Sequence, residues 1–275
     1  MMSRIITSTL LTIVLSTSMH AQTARRTTNG IPRAANGKPD LSGVWQPGST
    51  IPGTWEEANS GFGLGGTGTN PNAPRLKSSS EPPPGEAAPY QPWAAEKVLQ
   101  YYNRRGIDDP TAHCLLPGVP RAATQGLFPM KIMQTPQEVV MLYEYFYMFR
   151  IIPLNGKHSG NIASTYMGDS VAHWEGDTLV VDSIGFNDQT WLQGTGTFHS
   201  EDLHITERYT RVSKDRIDYE AKLEDPKVFT KPWVIHSSMM LREGTRLQEN
   251  VCAENNTEPA RFDKLEKDGV PFQRQ

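Results

Sequence analysis

Polar and apolar residues alternate with a period of two along much of the second half of this chain. Across residues 203–210, Leu203, Ile205, Glu207 and Tyr209 interleave with His204, Thr206, Arg208 and Thr210. Successive side chains of a strand face opposite ways, so the first set turns to a core and the second to solvent. Residues 171–174 and 178–184 flank Glu175, Gly176 and Asp177, a glycine-centred hairpin turn. Residues 130–134 and 138–152 lie on either side of Thr135, Pro136 and Gln137. The second of these runs is apolar except for Glu144 and Arg150, the pattern of one long strand covered on both faces. Further strands are predicted at 216–225, at 233–242 after a corner at 225–232, and at 246–255.

These eight or nine strands are joined mostly by short turns, and no helix follows Arg105 that could bridge parallel strands. The pattern therefore predicts an all-β fold, an antiparallel meander closed into a lipocalin-like barrel, with a β-sandwich as the alternative. One helix precedes it at 92–105. Pro92 suits its first turn, Trp93, Val98, Leu99 and Tyr102 form its apolar stripe, and Gly106 can end it.

Upstream the composition changes. Residues 22–90 are rich in Pro, Gly and Ser and read as an extended arm with little apolar surface to bury. Leu41, Val44 and Trp45 are an apolar island in it, expected to dock on the main body as a strand or plug. Residues 1–21 read as a signal peptide. Arg4 supplies the positive end, residues 5–19 an apolar run, and Ala21 a small residue for cleavage. That run is shorter than the roughly 20 residues a spanning helix needs, so no membrane span is expected in the mature chain. The expected organisation is signal peptide 1–21, arm 22–90, a single barrel domain with its leading helix over 91–256, and a polar tail 257–275. The expected location is the periplasm or the external medium. Cys114 and Cys252 are the only two cysteines, and in an oxidising compartment they are expected to pair.

Charge narrows the partners. The formal net charge of −3 is spread without a block of five like charges, which argues against nucleic acid or an anionic membrane surface. No nucleotide-binding or other cofactor fingerprint occurs, so no cofactor is expected, and nothing in the sequence marks an oligomeric state. His199, Glu201 and His204 offer possible metal ligands, but the spacing is not that of a helical zinc motif and no metal is assigned.

The densest group of acid and base side chains is His199, Glu201 and Glu207, with Glu144 as an isolated acid among large apolar neighbours. A neutral imidazole beside a carboxylate can move protons near neutral pH, and desolvation suits a carboxyl to general-acid work. These four are the candidate catalytic residues. Asn187, Asp188 and Trp191, on the long segment 185–202, are candidate ligand contacts together with Arg150 and Arg208. The structural alternative pairs Glu207 with Arg150, and Glu144 with Arg208.

The segments GKPDLSGVW, CLLPGVPRA, WEGDTLVVDSIGFNDQTW, HSEDLHITERY, DPKVFTKPW and ENVCAEN, taken together, are similar to a widespread family of uncharacterised exported bacterial proteins. The resemblance covers most of residues 37–256 and implies one β-rich domain, with no activity attached. Gly43-Val44-Trp45 also resembles the start of the first strand of lipocalin-type barrels, an analogy of architecture alone. The expected function is binding of a small organic ligand, aromatic or sugar-like, at one barrel end, with cofactor-independent lyase, isomerase or hydrolase chemistry as an extension. The alternative is a non-catalytic cell-envelope protein that uses its arm and loops to contact other proteins.

Overall fold

A computed structural model describes residues 27–28, 30–47, 88–103, 108–124, 128–161, 163–192 and 196–254, with 256–257, 260, 263–264 and 267–268 beyond them. The predicted signal peptide and most of the arm and tail lie outside the described residues. Nine strands form one sheet: β1 (Gly43–Pro47), β2 (Met130–Gln134), β3 (Glu138–Tyr143), β4 (Phe149–Pro153), β5 (Asp169–Glu175), β6 (Thr178–Ile184), β7 (His204–Arg211), β8 (Arg216–Glu224) and β9 (Trp233–Leu241). Each strand is hydrogen-bonded to its sequence neighbour except β4 to β5, and β9 returns to pair with β1, Leu241 opposite Trp45. The result is an antiparallel meander nearly closed into a barrel.

The strand count dictates where closure is incomplete. Nine strands cannot alternate direction around a ring, so one neighbouring pair must run parallel. That pair is β4 and β5, which meet through a single parallel bridge between Leu154 and Ala172 and a 2.6 Å bond from the Asn155 amide to the Ala172 carbonyl. A parallel step needs a crossover rather than a hairpin, and residues 154–168 supply it.

The apolar island of the arm is both strand and plug. Trp45, fully buried in β1, donates its indole N–H to the Leu41 carbonyl at 2.8 Å, and Leu41 is itself fully buried. The Arg211 guanidinium lies 5.1 Å from the Trp45 ring centroid and binds the carbonyls of Asp40 and Lys214, fixing the arm across that end. The opposite end is covered by helix α1 (Pro92–Asn103) and by residues 185–192 and 196–203. Tyr101 of α1 packs 5.0 Å from Trp191, and Trp93 packs 5.6 Å from Phe198. The buried side of α1 carries Ala94, Val98 and Tyr101, while Trp93 and Leu99, expected in its apolar stripe, are 51% and 58% exposed. The side chain of Tyr102 lies outside the described residues.

Two strand expectations are corrected. Residues 138–152 are not one strand: the chain leaves β3 at Tyr143, turns through residues 144–148, and re-enters the sheet as β4. Phe146 and Tyr147 adopt left-handed backbone angles there, φ 59° and 51°. Residues 246–255 are not a strand either. That segment is held by a disulfide between Cys114 and Cys252, whose Cα atoms are 5.5 Å apart, and by the Asn256 side chain on the Ala112 carbonyl. Among the described residues no helix is long and apolar enough to cross a membrane.

Candidate functional site

Strand β4 reverses the usual polarity of a sheet. Its sequence, Phe-Arg-Ile-Ile-Pro, buries Arg150 to 4% exposure while leaving Phe149 and Ile151 62% and 55% exposed. Burying a guanidinium costs several kcal/mol of hydration unless partners replace it. Such a breach of local pattern in an otherwise consistent sheet is where function is sought.

The partners come from across the seam, from β5, β6 and β7. Arg150 Nη2 lies 2.6 Å from Glu207 Oε2, 2.9 Å from Ser170 Oγ and 2.9 Å from Ser183 Oγ. Glu207 is fully buried, and its other oxygen accepts the Tyr209 hydroxyl at 2.8 Å and the Tyr219 hydroxyl at 3.0 Å. Cross-strand pairing explains why these groups meet, since residues directly opposite one another face the same side. Trp174, Leu179, Tyr209, Tyr219 and Ser237 form one row across β5 to β9. Ala172, Val181, Glu207, Ala221 and Ile235 form the next. Ser170, Ser183, Ile205, Leu223 and Trp233 form the third. In the second of these rows Glu207 lies between Val181 and Ala221, with Ala172 one strand further on.

The electrostatics keep this centre charged at Arg150 and protonated at the phenols. Burial alone would lower the Arg150 pKa, but Glu207 and then Tyr143 and Tyr209 raise it well above its ordinary value. Burial, followed by the Glu207 charge, raises the Tyr209 and Tyr219 phenols well above theirs, so both remain O–H donors. Burial also raises Tyr143, with the Arg150 charge opposing. The centre is nevertheless incomplete on its donor side. Arg150 Nε and Nη1, Trp174 Nε1 and Ser237 Oγ are buried and have no hydrogen-bond partner among the described residues. Both Glu207 oxygens, by contrast, are engaged.

The predicted catalytic residues do not converge. Glu207 lies inside the barrel on Arg150. His199 is 2% exposed and has both ring nitrogens occupied: Nδ1–H donates to the Ser200 carbonyl at 2.8 Å, and Nε2 accepts from the Thr190 hydroxyl at 2.5 Å. Burial holds its pKa below the ordinary 6.5. It lies in the cap beside Ser200, whose amide and hydroxyl both bind Asp225. Glu201 is exposed to solvent. Glu144 is not desolvated inside the barrel; it sits half-buried in the turn after β3, where Oε2 accepts the Gln248 amide at 2.8 Å.

The ligand candidates divide in the same way. Arg150 is central. Arg208 faces outward and pairs with Glu175 at 2.9 Å. Asp188 is exposed, and Asn187 Oδ1 accepts the Gln189 amide at 3.2 Å in a local turn. Trp191 is 5% exposed and packs against Tyr101 in the cap. Of the named candidates, Arg150 and Glu207 are the two that meet, in a polar centre inside the barrel. Tyr143, Tyr219, Ser170 and Ser183 were not anticipated, although alternation in residues 216–224 marks Tyr219 as inward.

A second titratable group lies on the outer wall. His158, in the crossover, places Nδ1 2.7 Å from Asp169 Oδ2 and Nε2 2.7 Å from Asp182 Oδ1, and His204 Nε2 lies 2.6 Å from Asp182 Oδ2. Carboxylates only accept, so both His158 nitrogens carry protons. Burial opposes that charge, but the two carboxylates prevail and the pKa stands above the ordinary 6.5. Burial likewise works to raise Asp182, and the two imidazoles hold it below the ordinary 3.8. The His158 contribution to stability is complete below 6.5 and disappears as pH rises through its folded pKa; that of Asp182 is complete above 3.8 and disappears as pH falls through its own. In an NMR titration His158 should titrate above 6.5 and His199 below it, and His158→Ala should flatten the stability profile on the alkaline side of 6.5. A His158 that titrates below His199 would contradict the arrangement. Among the described residues no three His, Cys, Asp or Glu side chains are grouped to hold a metal ion.

In comparison with known proteins, the chain matches no family model, no curated protein sequence and no solved structure.

Proposed function

We propose that this chain is an exported binding protein that holds a small organic molecule inside its barrel, at the Arg150 centre. The observation that carries the reading is the buried guanidinium with two nitrogens, Nε and Nη1, lacking acceptors beside a fully engaged Glu207. Buried donors in folded proteins nearly always find a partner, and of the eight orphaned side-chain atoms among the described residues, four belong to inward-facing Arg150, Trp174 and Ser237, two of them to the one guanidinium. An ion pair that served stability alone is replaceable by apolar side chains of similar volume. The parallel seam supports the reading as well. Arg150 belongs to one of its strands and Ser170 to the other, and only one bridge joins their backbones. A molecule reaching the centre there would displace less ladder than anywhere else in the barrel.

Export rests on residues 1–21 and agrees with the Cys114–Cys252 disulfide. Expression of the full chain in a bacterial host should yield a processed product whose N-terminal residue is Gln22. The binding reading is tested by native mass spectrometry of that product, purified without denaturation. The expected spectrum shows the polypeptide plus one organic molecule of a few hundred daltons, released on collisional activation and absent from the Arg150→Met variant. A polypeptide mass alone, with no thermal shift from any member of a library of small organic molecules, would refute it.

A further inference from the structure

We infer that the molecule held at the Arg150 centre is uncharged and presents carbonyl oxygens: a ketone, ester or quinone carried on an aromatic ring. The inference rests on the binding role proposed above and follows from which groups in the interior are engaged. Each atom there without a partner can donate a hydrogen bond, namely Arg150 Nε and Nη1, Trp174 Nε1 and Ser237 Oγ. The one carboxylate has both oxygens engaged, by Arg150, Tyr209 and Tyr219. A ligand therefore gains most by accepting, since of these four atoms only the Ser237 hydroxyl could accept from a donor group.

Charge points the same way. Arg150 and Glu207 cancel at 2.6 Å, so the centre is neutral before any ligand arrives. The two further buried arginines are engaged elsewhere: Arg121 pairs with Asp109 at 2.8 Å, and Arg211, toward the arm-covered end, binds the carbonyls of Asp40, Ser213 and Lys214. A carboxylate entering the centre would leave one uncompensated negative charge in a site removed from water, which is far costlier than placing a carbonyl there. The Nε and Nη1 hydrogens of a guanidinium also point along different edges of its plane. They suit two separate acceptor atoms better than the forked pair a carboxylate provides. Trp174, Tyr209 and Tyr219, in one cross-strand row, supply aromatic surface beside these donors.

The test uses matched compounds on one-ring and two-ring scaffolds: acetophenone, ethylbenzene, benzoate and benzylammonium, with their naphthalene counterparts. Binding is followed by amide and indole chemical shifts of the purified chain. The ketones should bind at least ten-fold more tightly than the hydrocarbons of the same shape, with the Trp174 indole N–H signal moving on titration. Trp174→Phe and Ser237→Ala, which keep packing nearly intact, should each narrow the gap between ketone and hydrocarbon. A benzoate or benzylammonium series that binds more tightly than the ketones would overturn the ligand class and leave the binding role standing. Equal binding of ketone and hydrocarbon would overturn the class too. Absence of binding by every compound, together with a bare polypeptide in the native mass spectrum, would remove the binding role itself.

Discussion

Replacing Arg150 with methionine is expected to lower the unfolding free energy by about 3–5 kcal/mol, the range for removing one partner of a buried ion pair. The loss does not come from the missing contact alone. It comes from Glu207, which stays fully buried with only the Tyr209 and Tyr219 hydroxyls to replace its hydration. Glu207→Leu should cost a similar amount by stranding the guanidinium. Combining the two should restore most of the stability, because the double variant contains neither charge and fills the same space with carbon. Urea denaturation of the wild type, both single variants and the double variant gives the coupling directly. If the single losses simply add in the double variant, the pair is not the coupled unit that the 2.6 Å contact describes. Binding separates the same variants differently: the double variant should fold and yet hold no ligand.

Removing the disulfide, by Cys114→Ser with Cys252→Ser, is expected to lower stability by up to about 5 kcal/mol, the chain-entropy figure for a closed loop of more than 100 residues. Its sequence separation is 138, so it constrains nearly the whole barrel in the unfolded chain. Neither cysteine lies in a strand, and the ladder from β1 to β9 does not depend on them. Amide exchange should therefore stay slow in the strands of the variant and accelerate over residues 246–254. The Gln248–Glu144, Phe146–Asn250 and Asn256–Ala112 bonds still tie that end of the chain to the body. A fall in stability below about 1 kcal/mol would mean that the unfolded chain is already compact enough for the cross-link to matter little.

The barrel was legible in the sequence because its signals are local. Period-two alternation along β7 and β8 and the Gly176 turn each act within a few residues, and they agree with one another. The break after Tyr143 was not legible. It falls inside a run of large apolar residues, and Phe146 and Tyr147 take left-handed angles without a glycine or proline to announce them. Reading through that break made Glu144 a desolvated strand residue when it is a half-buried turn residue. The site was half legible for a related reason. Alternation correctly turned Glu207 inward and Arg208 outward, and Arg150 was named as a partner for Glu207. What no local pattern carried was the closure of the ring, which brings Ser170 and Ser183 to Arg150 across the seam. The density of acid and base groups around His199 drew attention to the cap, where Thr190, Ser200 and Asp225 use them to hold a loop in place.

The pairing of β1 with β9 also sets the order in which this molecule can be completed. The first strand to leave the ribosome is the partner of the last, so its open edge, carrying Trp45, waits until nearly all of the remaining chain has been made. During that interval both future edges present unpaired backbone and apolar side chains to any other chain nearby. Slow closure of this kind favours aggregation when synthesis is fast and crowded. Yield of the folded barrel should consequently depend on the rate of expression more than on the stability of the finished protein.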